Sequence, residues 1–195
     1  MGSADLNLDD PLPPTAEPIA QKATPETKAR LRGLVEKHVE FIWRSLRRLG
    51  VPESDIGDAS QQVFLIASGK LALIRSNAER AFLFQTAMRV AANARRTQRR
   101  RREVGEQLLP SLPETGPDPE DAADQLRRRR LLDQVLDTMS LETRAVFVLS
   151  EIEELTMAEI AAMTRTPAGT VASRLRRARE QFREGVRLLR EEGSI

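Results

Sequence analysis

Residues 156–179, with the sequence TMAEIAAMTRTPAGTVASRLRRAR, have the pattern of two short helices joined by a tight turn. Thr156 is followed three residues later by Glu159, which is the spacing of a capping box at the start of a helix. Thr166 and Pro167 are expected to start the second helix, because the hydroxyl can cap it and proline is tolerated at the first helical position. The stretch therefore predicts a helix-turn-helix, whose second helix enters the major groove of DNA.

The second of these helices has one apolar side and one polar side. Val171, Leu175 and Ala178 recur at helical spacing and should be buried. Polar residues off that face are free to meet a partner, and the candidates for contacting duplex DNA are Thr170, Ser173, Arg174, Arg176 and Arg177. An ordinary two-helix hairpin with a solvated arginine face is the alternative interpretation of this segment.

The composition excludes several classes of protein. The 195 residues include no cysteine, which rules out disulfides, thiolate metal sites and a cysteine nucleophile. We find no glycine-rich phosphate loop and no zinc-binding pattern, so we expect no enzyme, no metal site and no cofactor. No apolar run approaches the roughly 18 to 20 residues of a membrane span, and the N-terminus lacks the basic and then apolar pattern of a signal peptide. We therefore expect a cytoplasmic protein.

Positive charge is concentrated in the sequence, although the formal net charge is only +2. Ser76 and Glu79 have the spacing of a capping box and are expected to open a long helix. The end of this helix, from Arg95 to Arg102, is rich in arginine with no interleaved acid, and a polyanion would relieve its self-repulsion. A solvated arginine run is the alternative. The side chains expected to follow a nucleic-acid strand are Arg89, Asn93, Arg96, Arg99 and Arg100.

Two further helices are predicted before the arginine-rich one. Thr24 and Pro25 start the first, and its apolar residues recur every three or four positions until Gly50 ends it. His38, the only histidine, lies on the apolar side and is expected to be buried there rather than to bind a metal. The second helix covers about residues 54–68.

The composition divides the chain into four parts. Residues 1–23 are acidic and proline-rich, which predicts a disordered tail. Residues 103–121 contain six acidic residues, four prolines and no basic residue, which is typical of a flexible linker. This linker is expected to be a passive spacer, or alternatively to occupy a basic channel that later holds RNA. Residues 24–102 and 122–192 remain as two small helical domains, so the predicted fold class is all-α.

Taken in order, these motifs resemble those of bacterial RNA polymerase sigma factors of the extracytoplasmic-function (ECF) class, in the sigma-70 superfamily, over about residues 26–190. DASQQVF is similar to the family's Asp-x-x-Gln-acidic-Val-Phe signature, with Gln62 in place of the acid. AFLFQTAMRVAANARRTQRRRR resembles the segment that melts and reads the downstream promoter element, with Phe82 where tryptophan is common. PAGTVASRLRRAR is similar to the recognition helix, with Ala172 at a commonly basic or polar position.

The resemblance implies a sigma region 2-like helical bundle and a sigma region 4-like helix-turn-helix domain. It implies a promoter-specificity subunit that binds core RNA polymerase, at the β′ clamp and the β flap, together with promoter DNA and an anti-sigma factor. The implied clamp contacts are Asp58, Gln61 and Phe64. The loop of residues 69–78 is expected to capture an unstacked base, with Arg75, Ser76 and Asn77 as candidates. Regulators of the LuxR type share the helix pair and its Gly-Thr-Val, and are the alternative function.

Overall fold

The structure is a computed structural model that describes residues 24–103 and 119–193. The predicted tail, residues 1–23, and most of the acidic linker lie outside the described residues. Within the two described ranges the regular structure is helical and contains no strand, as the all-α prediction requires. The helices are α1 Pro25–Arg48, α2 Ile56–Gly69, α3 Glu79–Glu103, α4 Pro119–Asp137, α5 Leu141–Phe147, α6 Met157–Thr164 and α7 Ala168–Glu191.

Helix α1 begins and ends where its sequence signals predict. The hydroxyl of Thr24 accepts a hydrogen bond from the Thr27 amide at 3.2 Å, and Pro25 occupies the first turn. The helix ends before Gly50, whose φ of +88° is the left-handed conformation that glycine adopts without strain. Its apolar side, including Ile42 and Leu46, packs against α2 and α3. The predicted boundaries of this helix are therefore confirmed.

The predicted capping box at Ser76 and Glu79 is wrong. Ser76–Ala78 forms a single 3-10 turn, and α3 begins only at Glu79. The carboxylate of Glu79 instead lies 3.4 Å from Lys37 Nζ and 3.5 Å from His38 Nε2, both in α1. His38 is buried as predicted, and desolvation lowers its pKa although the nearby Glu79 carboxylate opposes that shift. A contact between helices has therefore replaced the local cap.

In the second half of the described chain, residues 119–193, helix α5 starts from a local cap. Ser140 accepts a hydrogen bond from the amide of Thr143 and starts α5, as its position in the sequence predicts. The following segment, Val148–Ile152, is a π-helical turn, which the apolar pattern did not distinguish from α-helix. Phe147 stacks on Phe182 of α7 with ring centroids 4.9 Å apart, so α5 and α7 are held side by side.

The start of α7 differs from its prediction by one residue. Pro167 is the N-cap and Ala168 is the first helical residue, so the hydroxyl of Thr166 does not cap this helix. That hydroxyl instead donates to the carbonyl oxygen of Thr164 at 3.3 Å. The carbonyl of Pro167 accepts from the amides of Thr170 and Val171, which begins the helical ladder without a side-chain cap.

The two predicted helical domains share one buried core in the described residues. Phe84 and Ala87 of α3 belong to the same apolar cluster as Ile160 and Met163 of α6. Helix α3 also contacts α5. It therefore lies between the first half of the described chain, residues 24–103, and the second half, residues 119–193. The domain pattern in the sequence gave no indication of this packing, because it depends on residues far apart in the chain.

Helix α7 approaches α4 so closely at Gly185 that a larger residue has no room there. A Cβ atom at this position would lie 2.7 Å from Cγ1 of Val135, a stiff and buried side chain. We predict that Gly185→Ala lowers the free energy of unfolding by about 1 to 3 kcal/mol, as overpacking does elsewhere. Gly33→Ala is the matched control in α1, where a Cβ meets nothing within 4 Å. Urea unfolding of the two variants measures the difference in stability. Equal free energies of unfolding would contradict the close contact of Gly185 with Val135.

Candidate nucleic-acid interface

Helices α6 and α7 form the predicted helix-turn-helix. The Thr156 hydroxyl accepts from the Glu159 amide at 3.3 Å, and the Glu159 carboxylate accepts from the Thr156 amide at 2.8 Å, which completes the predicted capping box. Arg165 ends α6 in the left-handed region, with φ +50°, and turns the chain toward α7. Val171 and Leu175 are buried against the core and fix the angle of the second helix.

The predicted DNA-reading side of α7 is open to solvent. Arg174 is half-buried, and its Nη1 lies 3.4 Å from the hydroxyl of Thr166, which holds the guanidinium near the turn. A groove runs along this side toward the start of α5, and Glu142 and Glu180 are among the residues that line it. The other four candidates are exposed: Thr170, Ser173, Arg176 and Arg177. Four of the five candidates also line the groove: Ser173, Arg174, Arg176 and Arg177.

The predicted stripe on α3 is open at its C-terminal end and partly covered before it. Arg99 and Arg100 are exposed, as a contact with phosphates requires. Arg89, Asn93 and Arg96 are half-buried, and Arg96 Nη2 donates to Asn93 Oδ1 at 2.5 Å. Among the described residues, Arg89 Nε is a buried atom without a hydrogen-bond partner. This part of the stripe is therefore only partly open to solvent.

Arg95 contacts both halves of the chain and is not part of the exposed arginine run that follows it. Its guanidinium donates to the carbonyl oxygen of Leu49 at 3.3 Å and to that of Met139 at 3.4 Å. Desolvation lowers the pKa of Arg95, and the nearby charge of Arg144 lowers it further. Its neighbours in the run do not share these partners, so the sequence could not separate it from them.

The predicted base-capture loop is exposed and contains one residue that the sequence reasoning missed. Leu71 and Ile74 are buried and anchor the loop, and the guanidinium of Arg30 donates to the carbonyl of Ile74. Leu73 lies between these anchors and is 81% exposed. The sequence carried no signal for this residue, because Leu73 stands out only once Leu71 and Ile74 are seen to be buried. The three candidates of this loop are also exposed: Arg75, Ser76 and Asn77.

The predicted polymerase-binding residues of α2 divide by burial. Asp58 and Gln61 are exposed, whereas Phe64 is half-buried and packs against the core. Leu65 is 40% exposed and lies seven residues after Asp58, on the same side of the helix, although the sequence reasoning did not select it. One side of α2 therefore presents both polar and apolar groups to a partner.

The described ranges lack two further kinds of feature. No described helix is long and apolar enough to cross a membrane. The described side chains include no cluster of acidic residues and histidine that could hold a metal ion.

Comparisons with known proteins identify the family to which the helix-turn-helix belongs. Residues 129–182 match the family described as Sigma-70, region 4. Over 146 residues the chain is 32% identical to the ferric citrate uptake sigma factor FecI of Escherichia coli, covering 73% of this chain and 83% of that protein. Over 152 residues it is 29% identical to the ECF RNA polymerase sigma factor SigE of Mycolicibacterium smegmatis, covering 77% of this chain but only 59% of that protein. The chain belongs to the ECF family of RNA polymerase sigma factors.

Two solved complexes share the fold. One is CnrH in complex with the cytosolic domain of CnrY, with a TM-score of 0.63 at 22% identity, covering 95% of this chain and 99% of that chain. The other is the sigma factor RpoE with the anti-sigma factor NepR from Bartonella quintana, with a TM-score of 0.56 at 19% identity, covering 80% of this chain and 96% of that chain. At these identities the likeness concerns the fold alone.

The capping box predicts a pH dependence of folding stability. Hydrogen bonds from the Thr156 hydroxyl and amide lower the pKa of Glu159 from its ordinary value of 4.5. A carboxylate whose pKa is lower in the folded state stabilises folding above pH 4.5, and this contribution is lost as the pH falls through the folded pKa. We therefore expect Glu159→Ala to be less stable than the unmodified chain at neutral pH, with a difference that shrinks below pH 4.5. Denaturant unfolding across pH measures it, and a constant difference would contradict the capping contact.

Proposed function

We propose that this chain gives core RNA polymerase its promoter specificity through two separate arginine arrays. Helix α7 would hold the upstream promoter element as duplex, while α3 and the loop of residues 69–78 would hold the downstream element as it opens. The observation that carries this proposal is the exposure of arginines at both places, Arg176 and Arg177 on α7 and Arg99 and Arg100 on α3. The chain itself would catalyse no reaction and would act in the cytoplasm with the polymerase.

Helix α7 is suited to direct reading of bases. Thr170, Ser173 and Arg177 are exposed on one side of its first half, which is the part of a recognition helix that reaches base edges. An arginine there can make a bidentate contact with guanine in the major groove. Arg174 is tied to Thr166 and would meet the DNA backbone close to the turn.

The loop of residues 69–78 is suited to holding a base outside the stack. Extruding a base costs a few kcal/mol, so the loop must return that free energy through stacking or hydrogen bonds. Arg75, Ser76 and Asn77 supply polar groups, and Leu73 supplies an exposed apolar surface beside them. We assign Leu73 the role of an apolar contact to the extruded base or to the base step it leaves.

Helix α2 would bind the polymerase β′ clamp through Asp58, Gln61 and Phe64, and the second half of the chain would reach the β flap. Exposed Leu65 adds an apolar contact to the same side of α2. An anti-sigma factor is a further proposed partner, because RpoE of similar fold was solved with the anti-sigma factor NepR. Membership of the ECF family favours this function over that of a LuxR-type regulator.

Run-off transcription tests the function. We expect core polymerase with this chain to initiate at one class of promoters, and core polymerase without it to give no specific product. The same reaction with an already complete holoenzyme is the control. Stimulation only of that holoenzyme would support the LuxR-type regulator instead, and equal products with and without the chain would exclude a sigma factor.

The two arrays are expected to differ in their response to sequence and to salt. Arg177→Ala should weaken binding of the holoenzyme to a matched promoter by about 1 to 3 kcal/mol, and should affect a scrambled promoter much less. Arg100→Ala should weaken binding of the holoenzyme to both promoters alike. It should also lower the slope of log affinity against log salt by about one unit. Promoter binding across a salt series separates them. Equal losses on both DNAs for Arg177→Ala would mean that α7 does not read bases.

A further inference from the structure

The groove along the predicted DNA-reading side of α7 contains two carboxylates among its arginines. Glu180 lies on α7 itself, and Glu142 approaches from the first turn of α5. Arg174, Arg176 and Arg177 line the same groove. A carboxylate repels a polyanion, so a surface that only bound phosphates would be expected to lack such groups. Phosphate binding therefore does not account for these two residues.

Glu180 is not held by an arginine of its own helix. Further along α7, Glu184 lies 2.6 Å from Arg187 and forms an ion pair with it. Glu180 forms no ion pair with a described residue, although Arg176 and Arg177 precede it by four and three positions. An arginine that precedes the acid is the less favourable order for such a pair on a helix. The charge of Glu180 is therefore left to act on whatever enters the groove.

Glu142 places a second negative charge on the opposite wall of the groove. It is half-buried in the first turn of α5, where the partial positive charge of the helix start favours a carboxylate. Within the described ranges it has no ion pair. Its charge also acts on Arg95 of α3, whose pKa it raises against the larger lowering by desolvation. The fold thus tolerates this charge without neutralising it by a direct contact.

The position of Glu180 along α7 corresponds to the level of the DNA backbone. It follows Ser173 by seven residues, so it lies within about 20° of Ser173 around the helix axis and about 10 Å further along it. The major groove is about 8.5 Å deep. A helix that enters this groove by its first half therefore brings Glu180 to the phosphates rather than to the bases. Any duplex that lies closer to the end of α7 is repelled there.

We propose that Glu142 and Glu180 form an acidic boundary that determines sequence specificity on α7, by repelling the phosphates of DNA bound in any position other than the matched one. The boundary rests on the proposed function, in which α7 holds duplex DNA. A matched upstream element is held at the first half of α7 by its base contacts, so its phosphates stay away from the carboxylates. A scrambled element is held by the arginines alone and meets the carboxylates beside them. The boundary therefore weakens non-specific binding more than specific binding.

Neutralising both carboxylates tests the boundary. We expect Glu142→Gln with Glu180→Gln to raise the affinity of the holoenzyme for a promoter with a scrambled upstream element about threefold to tenfold at about 0.1 M salt, because each charge acts over about one Debye length. Affinity for the matched promoter should rise less than about twofold, because its phosphates lie further away. Glu36→Gln with Glu192→Gln is the matched control, since it removes the same charge from exposed positions outside the groove. Fluorescence anisotropy of labelled promoters measures both affinities.

A graded charge series at Glu180 keeps the test independent of the folding of α5. Affinity for the scrambled element should rise from the unmodified chain to Glu180→Gln and further to Glu180→Arg, and the differences should shrink at about 0.3 M salt, where charges are screened. Circular dichroism reports the helix content of each variant.

Three outcomes contradict the expectation, and they can be told apart. A ratio of matched to scrambled affinity that equals the ratio of the control overturns the boundary. Loss of affinity for the matched element alone also overturns it, because the carboxylates would then accept hydrogen bonds from cytosine amino groups. Equal affinity of the unmodified holoenzyme for both elements overturns the proposed function, on which the boundary depends.

Discussion

Arg144 is the buried charge on which the arrangement of the described residues depends. Its side chain is 1% exposed, so its desolvation must be offset by partners inside the protein. Asp137 lies 2.5 Å from Nη1 and Asp133 lies 3.8 Å from Nη2, and the carbonyl of Arg48 accepts from Nε. The two carboxylates compensate the buried guanidinium from the surface, since their own side chains are 59% and 41% exposed. Two of these partners come from α4 and one from α1, so a single guanidinium fixes α4, α5 and the end of α1 together.

The parts of the fold that were predictable depend on residues close in sequence. Thr24, Ser140 and Thr156 start their helices where expected, because each cap needs only an amide three residues later. The errors arise where a distant group competes with a local one. Glu79 is drawn to Lys37 of α1, 42 positions away, instead of capping its own helix. Thr166 turns to Thr164 because the residue after it takes the cap. No periodicity in the sequence carries information of this kind.

The sequence selects the candidate residues by their type, but it does not predict their accessibility. Arginine density identified the end of α3, yet Arg95 is held by two carbonyls while Arg99 and Arg100 remain exposed. The difference is set by where α1 and α4 end, and a run of identical residues cannot reveal it. Leu73 was missed for the opposite reason, because a single exposed leucine is unremarkable by composition and becomes informative only when its neighbours are seen to be buried.

The contact of α6 with α3 combines apolar and polar groups. Gln85 donates to the carbonyl of Met163, and Phe84 and Ala87 lie in the same apolar cluster as Ile160 and Met163. A buried amide that lost this partner would be left unsatisfied, which costs about 1 to 3 kcal/mol. The position of the helix-turn-helix relative to α3 therefore depends on a specific hydrogen bond as well as on the burial of apolar surface.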